Sequence, residues 1–178
     1  MEIIRLEDEN SPYFESIYDW NYAWWGVRDG ISPAEVRCTL AHSLNRGDRL
    51  PQTFVAVEDG QALGMYQLSM IDDLYCRPDL YPWLIDVYVA EPFRGRGVGR
   101  ALLETVPENA RAAGLTELYL YTIHMGLYEK FGWTYVGEVD TFRADSPRER
   151  LYKLELSRKG PGEPPGPLFL CAIFSCWR

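Results

Sequence analysis

Two histidines and four cysteines are the only imidazole and thiol metal ligands in this chain of 178 residues. Cys38, Cys76, Cys171 and Cys176 show no Cys-x-x-Cys spacing, and with only His42 and His124 beside them no metal site is expected. Thiols scattered in this way read as reduced, which points to a cytoplasmic protein. Long apolar runs are also missing. The longest, 168–177, falls well short of the roughly 20 residues that span a bilayer, so no membrane partner is expected. Residues 1–9 are charged and lack the apolar stretch of a signal peptide. There is no excess of positive charge. Against 26 acidic residues stand 18 Lys and Arg, a formal net charge of -8, which argues against nucleic acid as a partner and weakly favours a cationic one.

A chain of this length forms one domain, and 47% hydrophobic residues, with 14% aromatic, supply its core. Its most informative stretch is Arg94-Gly95-Arg96-Gly97-Val98-Gly99. This lies between an apolar strand-like run over 83–89 and a helix-like run beginning Arg100-Ala101-Leu102-Leu103-Glu104. Glycines let the backbone turn sharply and approach a ligand, and the unpaired N–H groups of a first helical turn point at it. The stretch therefore reads as a cradle for phosphate or pyrophosphate. Its nucleotide versions are excluded by spacing. A P-loop needs Gly-Lys-Ser/Thr, whereas Gly99 is followed by Arg100 and Ala101. A dinucleotide fingerprint needs Gly-x-Gly-x-x-Gly, but counting from Gly95 puts Arg100 at the last glycine, and counting from Gly97 puts Leu102 there. The ribose-binding acid expected after the next strand is missing too, since that strand ends near Tyr121-Thr122. What remains is Arg-x-x-Gly-x-Gly between a strand and a helix.

The predicted elements alternate. A short strand over 3–6 precedes a helix opened by Asn10-Ser11-Pro12 and running to about Trp24. Ser32-Pro33-Ala34-Glu35 is a capping box for a second helix, which stops near Arg46-Gly47. Asp59-Gly60 joins strands over 53–58 and 62–70 as a hairpin. The strand over 83–89 is central. The helix after the glycines runs to Ala113-Gly114, with Pro107 expected to kink or split it. A strand over 117–122, a short helix over 125–131 and an antiparallel pair over 134–140 and 150–156 follow. After Leu156 the chain changes character: 158–167 is rich in Gly and Pro and reads as a linker to an apolar tail. The expected division is a domain over 1–156 and a linker and tail over 157–178.

The glycine stretch, preceded by Val87-Tyr88-Val89-Ala90-Glu91-Pro92-Phe93, closely resembles the acyl-CoA-binding motif of the GNAT (Gcn5-related N-acetyltransferase) superfamily. Leu127-Tyr128-Glu129-Lys130-Phe131-Gly132-Trp133 resembles a second segment of that family, although the Asn usual upstream of its Tyr is missing here. The resemblance implies an α/β GNAT fold, a mixed but mostly antiparallel sheet of about seven strands flanked by helices and splayed between its two central parallel strands. It implies acetyl-CoA as co-substrate. Its pantetheine arm would lie along 83–89 near Val87 and Val89, and its pyrophosphate on the amides of Arg94, Gly95, Arg96, Gly97, Val98, Gly99 and Arg100. Dimers are common in the family, so a homodimer is a possible assembly.

Acetyl transfer from a thioester to an amine needs a neutral amine, a polarised carbonyl and a proton for the departing thiolate. An alkyl ammonium has a pKa of about 10, so a carboxylate or a water relay must help remove its proton. A backbone N–H at Val89 or Tyr88 is placed to polarise the carbonyl. The resemblance makes Tyr128 the thiolate's proton donor, against the alternative of a core aromatic. Asp86 reads as the general base or as a structural hydrogen-bonding group, on a strand face with Leu84 and Tyr88. His124 reads as a proton relay, a substrate contact or a helix cap. Trp24 and Trp25 read as the wall of a cationic acceptor's pocket or as core. Residues 75–83 form either a flap or a surface loop. The expected activity is transfer of acetyl from acetyl-CoA to a primary amine of a small molecule or protein. A different acyl group, a non-catalytic CoA-binding domain and a nucleotide-binding module are the alternatives.

Overall fold

Asp59 and Gly60 both take positive φ, 51° and 74°, as a tight two-residue hairpin requires. They fold β2 (Gln52–Glu58) back on β3 (Gln61–Ser69). The computed structural model describes residues 1–44, 47–74, 76–141 and 148–156. The linker and tail expected over 157–178 lie outside them, as does part of the stop expected at Arg46-Gly47. The other strands are β1 (Glu2–Leu6), β4 (Trp83–Val89), β5 (Glu117–Thr122), β6 (Thr134–Val139) and β7 (Glu149–Glu155). They form one sheet in the order β1-β2-β3-β4-β5-β7-β6. Every neighbouring pair is antiparallel except β4 and β5. Those two run parallel and meet in register only at Trp83 and Tyr119, where the Tyr119 N–H donates to the Pro82 carbonyl at 2.9 Å. Beyond that point they part, so the sheet is mixed and splayed between its central parallel strands, as expected.

β4 also carries a bulge. Met65 pairs with Tyr88 and Gln67 with Ile85, so Asp86 and Val87 together stand opposite Tyr66. Asp86 has φ 53°, in the left-handed region. The extra residue breaks the strict alternation assumed from sequence. Leu84 shares its side of the sheet with Val87 and Val89, while Tyr88 lies on the opposite side. Asp86 therefore does not continue a face shared by Leu84 and Tyr88.

Helices cover both faces. α1 (Phe14–Asn21) leads through a π-helical turn, Tyr22–Gly26, into α2 (Val27–Asp29). The first helical stretch thus continues past Trp24, and Trp25 and Gly26 are helical too. α3 (Pro33–His42) starts at the predicted box: the Glu35 N–H donates to Ser32 Oγ at 3.3 Å, and the Ser32 N–H donates to the Glu35 carboxylate at 2.9 Å. With α1, it covers the side of Leu6, Val55 and Met65. On the other side lies α4 (Val98–Ala112), burying Val98, Leu102, Leu103, Val106 and Ala110 against Phe54, Tyr66 and Leu118. Pro107 does not split α4. The buried stripe passes on both sides of it and holds the helix together despite the missing N–H.

Gly64 of β3 marks a close approach between strands. A Cβ there would lie 2.6 Å from the Tyr88 carbonyl oxygen and 3.2 Å from Leu102 Cδ1. Because the nearest atom is backbone, rotamer changes cannot relieve the clash. Gly64→Ala should lower stability by about 1–3 kcal/mol in urea denaturation.

Candidate active site

The parting of β4 from β5 exposes one edge of β4. The Ala90 N–H donates to the Leu63 carbonyl at 3.0 Å, so backbone alternation turns Tyr88's own N–H and C=O toward β3. Val87 and Val89 present theirs to the gap. Of the two N–H groups considered for the carbonyl, Val89 is the one that faces it; Tyr88 is not. The Tyr88 side chain points to the opposite sheet face from Val87 and Val89, with its ring 5.4 Å from Trp20, 5.8 Å from Trp24 and 6.3 Å from Trp25.

At the end of β4 the chain passes through a 3-10 turn, Glu91–Phe93, into the glycine stretch. Gly95 and Gly97 have φ 74° and 86°, and Gly97 occupies the N-cap of α4 without any side-chain cap. The amides of Val98, Gly99 and Arg100 in the first turn are therefore left to an outside acceptor. A Cβ on Gly95 or Gly97 would meet nothing within 4 Å, so this is an open backbone cradle of the kind a pyrophosphate fits. The three arginines each hold a protein partner. Arg94 Nε donates to the Val89 carbonyl at 3.0 Å, Arg96 Nη2 to Glu58 at 3.0 Å and Arg100 Nε to Glu104 at 2.9 Å. A phosphate contact from Arg96 or Arg100 would require exchanging that carboxylate.

Tyr128 opens a 3-10 turn, Tyr128–Phe131, rather than the helix expected over 125–131. It is buried on the α4 side, in one apolar cluster with Val98, Leu84 and the partly buried Val87 and Val89. Burial pushes its hydroxyl up to about 12, so it keeps its proton at neutral pH. His124 lies beyond the end of β5, exposed in the loop before this turn. The structure does not bring it to Asp86 or Tyr128.

On the other side of β4, Asp86 is half-buried as a residue, yet its carboxyl group is walled in by protein, and burial pushes it up to about 7. The charges of Asp72 and Asp73 add to the shift, with Arg28 opposing it. Asp72 was missed in the sequence. It sits in the segment between β3 and β4, which has no periodicity to mark it. Its carboxylate accepts from the Asp73 N–H at 2.7 Å and the Tyr121 hydroxyl at 3.4 Å. Burial nevertheless pushes it to about 7 as well. Leu74 and Leu80 anchor the described part of the segment against Trp83 and Ile85.

The sequence model of the acetyltransferase (GNAT) family matches residues 14–133, the greater part of the chain. No curated protein matches by sequence. Among solved structures, an aminoglycoside 6'-N-acetyltransferase complexed with coenzyme A aligns with TM-score 0.67 and 15% identity, over 90% of this chain and 99% of that one. The ribosomal-protein-S18-alanine N-acetyltransferase from Escherichia coli aligns with TM-score 0.61 and 20% identity, over 91% and 97%. An acetyltransferase from Streptococcus agalactiae aligns with TM-score 0.56 and 25% identity, over 86% and 98%. Splayed sheet, open cradle and family match together define an acetyl-CoA-dependent N-acetyltransferase. The chain belongs to the acetyltransferase (GNAT) family.

Two outcomes follow from this geometry. Gly97→Glu puts a side chain and a negative charge into the cradle at a left-handed position, and calorimetric titration should show acetyl-CoA binding lost. Asp86 carries a pKa raised from 3.8 to about 7, so the fold holds its proton where the unfolded chain releases it. Stability is therefore lost as pH rises through that window, and the penalty is complete above about 7. Asp86→Asn keeps a residue that tolerates positive φ and removes the charge. Its melting temperature should exceed the parent's by more at pH 8 than at pH 5, by about 2–4 °C per kcal/mol relieved.

Proposed function

We propose that the acceptor amine enters on the face of β4 that carries Asp86 and the Tyr88 aromatic cluster, and that Tyr128 acts from the opposite face. The observation that carries this reading is the β4 bulge, which sets Asp86 on a strand whose other face packs with Tyr128. Asp86 takes the ammonium proton, and the neutral nitrogen attacks the thioester carbonyl while the Val89 N–H stabilises the developing oxyanion. The new C–N bond forms, the nitrogen sheds its second proton to water, the C–S bond breaks, and Tyr128 gives its proton to the leaving sulfur. Both groups then re-equilibrate with water. Arg94 supports the strand end through its bond to the Val89 carbonyl, and the amides from Gly95 to Arg100 hold the pyrophosphate.

Trp24 is 53% exposed beside Tyr88, and with Trp25 it offers an aromatic wall to a cation. Asp72 and Asp73 add negative charge beyond it. This combination supports a cationic primary amine, either of a small molecule of the aminoglycoside or polyamine type or of a peptide end. An aminoglycoside and an alanine of a ribosomal protein occur in the names of the aligned structures. Free, exposed Cys38 and Cys76 are in keeping with a cytoplasmic setting. A homodimer remains part of the proposal on family grounds alone.

Three measurements test the mechanism. Acetyl-CoA should bind saturably in calorimetry, while ATP and NAD should not. Tyr128→Phe should keep that affinity and lower kcat by about 10²-fold, and an unchanged kcat would assign the proton to water or another group. With the parent enzyme, kcat/KM should rise with pH through about 7, as Asp86 loses its proton. Asp86→Asn should remove that limb.

A further inference from the structure

The turn that carries Tyr128 is only four residues long, and it follows an exposed loop over 123–127. Besides the bonds inside the turn, its backbone is held by Lys130 N–H to the Leu127 carbonyl at 3.2 Å, Gly132 N–H to the Glu129 carbonyl at 3.2 Å and Trp133 N–H to the Tyr128 carbonyl at 3.3 Å. A single 3-10 turn does not hold its place by local bonding, so the position of Tyr128 depends on what ties the turn to the sheet.

Strand β7 provides that tie. Tyr152 of β7 is fully buried, and its hydroxyl donates to Glu129 Oε1 at 2.8 Å. Arg150 Nε donates to the same hydroxyl at 3.0 Å, and its guanidinium lies 3.9 Å over the Tyr135 ring of β6. Glu129's carboxylate is held below its ordinary range first by its own backbone N–H, then by the Tyr152 hydroxyl, with the Gly126 N–H also contributing. One carboxylate thus gathers the loop and the turn and fastens both to β7. The Tyr152 ring, 6.0 Å from that of Tyr128, forms one wall of the Tyr128 pocket, with Trp133 at 6.0 Å on another side.

We propose that Glu129 and Tyr152 are positioning residues, whose shared hydrogen bond sets the Tyr128 hydroxyl at the β4–β5 gap. The proposal rests on Tyr128 being the proton donor. It gives Glu129 a task beyond the surface, where its exposure alone would leave it. Tyr152→Phe removes one oxygen and keeps the ring. Glu129→Ala removes the staple, and Glu129→Gln restores an acceptor oxygen.

The test is a double-mutant cycle with acetyl-CoA and three amines, spermidine, kanamycin and a tripeptide with a free N-terminal alanine, followed by thiol release. Tyr152→Phe and Glu129→Ala are expected to lower kcat by about tenfold or more, because misplacement of a reacting group by an ångström is costly. KM for acetyl-CoA should stay unchanged, and Glu129→Gln should recover part of the loss. In the Tyr128→Phe background, Tyr152→Phe should lower kcat no further. The same fractional loss in both backgrounds, or no loss in the first, would overturn the proposal. Calorimetric acetyl-CoA binding and thermal melting of each variant separate misplacement from misfolding. A Tyr128→Phe enzyme with undiminished kcat would instead overturn the proton-donor reading. Thiol release with none of the three amines would overturn the acceptor reading and this proposal with it.

Discussion

The parting of β4 from β5 after a single register pair is the constraint on which the rest of this molecule depends. A sheet interior normally consumes every backbone N–H and C=O it contains, because an unpaired polar group is costly away from water. Here the two central strands begin as neighbours at Trp83 and Tyr119 and then diverge. This leaves the backbone of Val87 and Val89 facing a gap. The cradle at the start of α4 follows the same strand, so one path leads from the donors at the gap to those at the helix N-terminus, past the Ala90, Phe93 and Arg94 N–H groups, which bond within the protein. A ligand with an extended polar arm and an anionic centre matches that path, which is why fold and co-substrate are inseparable in this protein.

The bulge at Asp86 and Val87 completes the arrangement. Without it, regular alternation would carry a single face along β4. The extra residue shifts the alternation, so that Val87 and Val89 join the α4 cluster while Tyr88 joins the tryptophans on the other side. A carboxyl thereby stands on one face and Tyr128 on the other. A left-handed backbone at Asp86 costs stability at any pH, and two carboxyls pushed up to about 7 oppose folding increasingly as pH rises toward that value. Neither feature stabilises the domain, and both suit the general-base role proposed for Asp86. The buried face of α4 and the well-paired β1-β2-β3-β4 ladder supply the stability that this site subtracts from.

Much of the fold was legible because local chemistry and tertiary structure agree. Asp59-Gly60 demands positive φ at two successive residues, and the Ser32–Glu35 box satisfies two helix N–H groups by itself, so each feature would form in almost any context. Pro107 was misleading because the cost of a missing N–H is local, whereas the stripe from Val98 to Ala110 that outweighs it is a tertiary contact. The helical run beyond Trp24 was missed for a similar reason: Gly26 lies in it against Val36, a tertiary contact, and any Cβ there would strike Tyr22 and Val36, at 2.8 and 2.9 Å. Asp72 had no signal at all, because an acid in an aperiodic segment is ordinary until its neighbours are known.

By itself the sequence determined the cradle, the order of the elements and the family, since these rest on glycine spacing and hydrophobic period, which are properties of neighbours along the chain. Only the tertiary structure decided which β4 amide faces the gap, that Asp86 and Tyr128 stand on opposite sides of a strand, that Asp72 acts on Asp86, and that Glu129 is fastened to Tyr152. The physical reason is that a bulge displaces every side chain beyond it, and that burial and Coulomb interaction depend on distance in space. The spacing of residues along the chain carries neither quantity.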